Sequence, residues 1–90
     1  MKYHEILSEL IKKSGKNLKN IANECQGRGI RVDASYISKL QTAKKPPASD
    51  RLNRILAEVL GGDPEALVVA AYREKIPTEI LEKLATGTTG

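Results

Sequence analysis

The chain contains no tryptophan and no phenylalanine, and its aromatic content is three tyrosines in 90 residues. Binders of single-stranded nucleic acid that stack bases on rings need more aromatics than this. The only cysteine is Cys25, which excludes an internal disulfide and points to a reducing cytoplasm. Neither Cys25 nor the lone His4 has a suitably spaced partner to complete a metal site. No apolar run approaches the ~20 residues of a membrane span. The opening, Met1-Lys2-Tyr3-His4-Glu5, lacks the apolar core of a signal peptide. There is no phosphate loop, no serine or cysteine nucleophile with a credible base, and no carboxylate pair near a histidine. These absences exclude an enzyme at the level of sequence and imply no cofactor.

Charge is what the chain does have, unevenly spread. Residues 1–54 hold 12 basic and 5 acidic side chains, a net +7, whereas residues 55–90 hold 3 basic and 6 acidic, a net −3. A basic front and an acidic back fit a polyanion-binding face and a separate face for something else, although lysines that merely solvate helix surfaces give the same count. Ninety residues make one small domain with one core.

Periodicity and punctuation predict helices throughout. Tyr3 to Lys13 carries Ile6, Leu7, Leu10 and Ile11 on one face and ends at Gly15. Asn17 caps a second helix, Leu18 to about Gln26, that buries Leu18, Ile21, Ala22 and Cys25. Gly27 and Gly29 break it, and residues 27–32 form a linker in which Ile30 and Val32 turn inward. Asp33 caps a third helix to about Gln41, burying Ile37 and Leu40 and showing Ser35 and Lys39 to solvent. Lys44-Lys45-Pro46-Pro47 stop it, since two prolines cannot lie inside a helix. Ser49 caps a fourth helix with Leu52, Ile55, Leu56, Val59 and Leu60 as its stripe, ended by Gly61-Gly62. Asp63 caps and Pro64 opens a fifth, with Leu67, Val68, Ala71 and Tyr72 along one side. Pro77 opens a short amphipathic piece with Ile80, Leu81 and Leu84. Residues 85–90 have nothing to bury and are expected to fray. The chain is either a complete small protein or the front of a longer one cut at this tail. The division is 1–76 for the main domain and 77–90 for the short helix and tail.

The order Leu18-x-x-Ile21-Ala22, Ser35-Tyr36-Ile37-Ser38-Lys39-Leu40, Lys44-Lys45-x-Pro47 and Leu56-Ala57-x-Val59-Leu60-Gly61 resembles the lambda-repressor/Cro type of helix-turn-helix domain over about Tyr3 to Lys75. The resemblance implies an all-α, five-helix domain in which the second and third helices form the DNA-reading pair. Three departures stand out. Leu18 occupies the place where the family usually has a phosphate-contacting Gln. Gln41-Thr42-Ala43 replaces the usual Glu-x-Gly at the end of the recognition helix. The linker between the paired helices is about five residues longer than the common form, and the added segment holds Arg28 and Arg31.

By that resemblance Ala34, Ser35 and Lys39 face base edges. Lys39 can donate to guanine, Ser35 to several bases, and the Ala34 methyl can meet a thymine methyl. An ordinary exposed helix is the alternative. Lys44 and Lys45 suit phosphate clamping, which fixes register without reading sequence. Lys16, Asn17 and Lys19 surround a helix N-terminus, which attracts phosphate, though capping alone explains Asn17. Arg28, Arg31, Ser38 and Thr42 complete the expected phosphate set. Tyr36 either reaches a phosphate through its hydroxyl or covers the edge of the core. Cys25 reads as a small core residue, and His4 as exposed. The expected partner is double-stranded DNA, as a palindromic operator bound by a homodimer, with 77–84 as a candidate contact. The function expected is transcriptional regulation, by a repressor of bacterial, phage or mobile-element type. A protein-interaction module on the same scaffold, such as an antitoxin or antirepressor, is the competing reading.

Overall fold

In the computed structural model, residues 1–75 and Ile80 are described. Five helices account for the fold among them: α1 (Tyr3–Ser14), α2 (Leu18–Gly27), α3 (Ala34–Gln41), α4 (Asp50–Leu60) and α5 (Ala66–Lys75). The all-α expectation holds, and the caps that set it are the ones the sequence marks. Asn17 Oδ1 accepts from the Asn20 amide at 2.8 Å. Asp33 Oδ1 accepts from Tyr36 at 2.7 Å, and Ser49 Oγ accepts from Leu52 at 3.3 Å. Each satisfies an amide that the first helical turn leaves without a partner.

The core is assembled from all five helices. Leu7, Ile11, Ile21, Ile37, Leu40, Leu56 and Leu67 are among its buried members. Ile6, Leu10, Leu18, Ile30 and Ile55, all expected inside, are half-buried at its edge. Helix α1 packs on α3, α4 and α5, and α2 packs on both α3 and α4.

Two expectations about the back half change. Helix α5 begins at Ala66, not at Pro64. The Asp63 side chain accepts from the Glu65 amide at 2.9 Å, so Pro64 and Glu65 form a turn before the helix starts. Its inward face is Leu67, Val68, Ala70 and Ala71. Tyr72 is exposed, because its hydroxyl donates to Asp50 Oδ2 at 2.8 Å and keeps the ring at the surface. Asn53, on which the sequence reading is silent, is fully buried in the apolar stripe of α4. Its amide donates to the Ala48 carbonyl at 2.9 Å, and its carbonyl accepts from the Tyr3 hydroxyl at 2.5 Å. Both ends being satisfied, the polar group is tolerated in the core. Except for Ile80, which is exposed, the piece over 77–84 lies outside the described residues.

Candidate nucleic-acid interface

Helix α3 presents two faces that follow from its register. Ile37 and Leu40 are fully buried, and Tyr36 packs on the core from one flank. Of the two readings of Tyr36, its packing favours the core edge. Positions 35, 38, 39 and 42 fall on the opposite side at helical spacing. Ser35, Lys39 and Thr42 are exposed there, with Ser38 and Ala34 half-buried beside them. Thr42 Oγ1 donates to the Ser38 carbonyl at 2.8 Å, which ties up the hydroxyl proton and leaves its lone pairs outward. The face is small, hydroxyl-rich and carries one cation.

Two more cations are built onto the same turn. The amides of Lys44 and Lys45 donate to the Lys39 carbonyl at 2.9 and 3.3 Å, and the Ala43 amide donates to Leu40 at 3.4 Å. This double closure of the helix end requires a left-handed residue, the place usually given to glycine. Here Ala43 takes it, with φ of 62°. Lys39, Lys44 and Lys45 therefore rise from one hydrogen-bonded loop, and all three are exposed.

The linker between α2 and α3 is a braced structure. Gln26 Nε2 donates to the Val32 carbonyl at 2.8 Å, and Arg51 Nη2 on α4 donates to the Gly29 carbonyl at 3.1 Å. The Ile30 amide donates back to Cys25 at 3.3 Å. Gly29 has φ of +88°, which a side chain would strain. Val32 is buried and Ile30 partly so, as the sequence indicates. The bracing leaves Arg28 and Arg31 exposed on a fixed loop. Arg28 Nε stands 3.7 Å from Glu58 Oε2, both side chains being largely in solvent, a pairing that costs little to break.

Lys16 is placed differently from the other cations. Its ammonium donates to the Val59 carbonyl at 2.7 Å and pairs with Glu24 at 3.0 Å. It thus caps the C-terminal end of α4 and braces α2, and a phosphate would have to compete with both partners. The Asn17 side chain is occupied by its cap, while Lys19 is exposed one residue inside α2. Cys25 is fully buried, and burial pushes its thiol pKa up. His4 is half-buried rather than exposed, since it lines a cleft.

That cleft, of about 450 Å³, is bounded by Tyr3 and His4 of α1, by Leu40 and the 43–47 loop, and by Glu74 and Lys75 of α5. It brings Lys75 and His4 beside Lys44 and Lys45. Local sequence spacing could not signal this, because the three segments meet only through the packing of α1 on α3 and α5. Comparison with family models, with characterised proteins and with solved structures gave no match to this chain.

Proposed function

We propose that the chain is a cytoplasmic, sequence-specific binder of double-stranded DNA, a transcriptional regulator built on a lambda-repressor-like helix pair. The observation that carries this reading is the outward face of α3, where Ser35 and Lys39 stand exposed and Lys44 and Lys45 spring from the Lys39 carbonyl. A narrow helix face that offers donors and one long cation suits the edges of bases in a major groove, and loop cations beside it suit the flanking phosphates. Packing of α2 on α3 gives α3 the rigid support that base reading needs. Arg28, Arg31 and Lys19 extend the phosphate set. Lys16 contributes chiefly by holding α2 to α4.

The working species in this reading is a homodimer on a two-fold symmetric site. One reading helix contacts too few base pairs to discriminate against a genome of competing sites. Two copies about 34 Å apart double the readout.

Selection of binding sites from random duplex DNA, followed by salt titration, tests the reading. Four to six phosphate contacts give a log–log slope of about −4 to −5. On the selected site, Lys39→Ala costs roughly 1–3 kcal/mol and relaxes one or two positions, while Lys44→Ala weakens selected and random duplexes alike. Absence of binding to any duplex at low salt removes the reading, and equal loss on both duplexes for Lys39→Ala removes the reader assignment.

A further inference from the structure

We propose that the cleft between α1, the 43–47 loop and the end of α5 seats a phosphodiester of the DNA backbone, with Lys75 as a third cation of the clamp begun by Lys44 and Lys45. This inference rests on the DNA-binding reading above. Among the described residues, Lys44, Lys45, Lys75 and His4 line the cleft, and Glu74 is its one acidic member. That carboxylate is already engaged, since Glu74 Oε2 accepts from the Tyr3 amide at 2.6 Å. Its charge is directed at the first turn of α1, where a helix N-terminus favours an anion, and the lysines keep the excess.

The backbone around the cleft leaves the anion to the side chains. Pro46 and Pro47 have no amide hydrogens, and the amides of Lys44 and Lys45 are spent on the Lys39 carbonyl. The two prolines also fix their φ angles, so the loop that carries Lys44 and Lys45 is held in shape before any ligand arrives. Lys75 Nζ lies 5.5 Å from the centroid of the Tyr72 ring, and both residues are exposed. A phosphate in the cleft competes with that exposed ring for the ammonium, and an exposed cation–π contact is worth only about 0.5–1 kcal/mol. The occupant is a backbone strand because the loop that follows the α3 face also lines the cleft and carries two of its three lysines.

Binding of a selected and a scrambled duplex is measured from low to high salt for the full chain, for Lys75→Gln, for Lys44→Gln, for the double variant, and for Arg73→Gln. Arg73 is on the same helix but lines a different groove, with Met1, Ile6 and Val69. Circular dichroism melts establish that each variant folds. Loss of one phosphate contact lowers the slope by about 0.9, which is about fivefold in affinity at 0.15 M salt. Lys75→Gln is expected to show that loss on both duplexes, the double variant about twice that change in slope, and Arg73→Gln none. A Lys75→Gln slope equal to that of the unaltered chain overturns the clamp while DNA binding stands. An equal fall for Arg73→Gln also overturns it, by reducing the effect to net charge. If the unaltered chain binds neither duplex, the DNA-binding reading has failed and the clamp falls with it.

Discussion

At the scale of single residues, the buried hydrogen bond from Tyr3 to Asn53 ties the start of α1 to α4 across 50 positions. Tyr3 is buried, and loss of water from its phenol pushes the pKa up to about 12 from the usual 10. The neutral form is the one the core accepts. Because the folded pKa is the higher, the stabilisation is fully present below pH 10 and is lost as pH rises from 10 to 12, roughly 3 kcal/mol in all. Melting temperature should fall more steeply over that interval for the native chain than for Tyr3→Phe. Parallel decline of the two would contradict the assignment. At neutral pH the same variant leaves Asn53 Oδ1 without its donor and should be less stable by about 1–3 kcal/mol. None of this is legible locally. Tyr3 and Asn53 are 50 residues apart, and an Asn inside an apolar stripe gives no sign in sequence of whether it faces in or out.

At the scale of elements, the helix boundaries were legible because they depend on neighbours. Asn17, Asp33 and Ser49 each cap their own first turn, and proline and glycine mark the stops. The start of α5 was not, because Asp63 can cap a helix or a turn, and the difference lies in whether Pro64 continues into helical geometry. The end of α3 was legible only as a missing glycine. The structure closes it through Ala43 at φ of 62°, a conformation that costs an alanine roughly 1–2 kcal/mol. Glycine escapes that cost but gives up part of the gain through its freer unfolded chain. Ala43→Gly is therefore expected to stabilise the fold by about 0.5–1 kcal/mol in urea titration. A lower midpoint for the variant would show that Ala43 sits there without strain.

At the scale of the whole molecule, five helices and one core follow from the sequence, and the α3 face follows from its register. The cleft does not, since three separate segments make it. Nor does the role of Lys16, whose main partner, the Val59 carbonyl, is 43 residues away. Sedimentation of the DNA complex is expected to give two chains per symmetric site, and one chain after residues 77–90 are removed. One chain per site for the full chain would end the dimer reading. An unchanged pair after truncation would move the contact onto the described domain, where Met1 and Val69 are exposed along one groove.

The hydrogen bond from the Tyr3 amide to Glu74 joins residues 71 positions apart, and it bears on the order in which the protein comes into being. While the chain is being synthesised, α1 is made first yet finishes its own first turn last, when α5 emerges. Until then the side of α1 that α5 covers is open to water, and α2, α3 and α4 must hold together without that layer. A nascent chain arrested before Glu74 leaves the Tyr3 amide without its partner and one side of α1 uncovered, and such transiently exposed apolar surface is prone to aggregate.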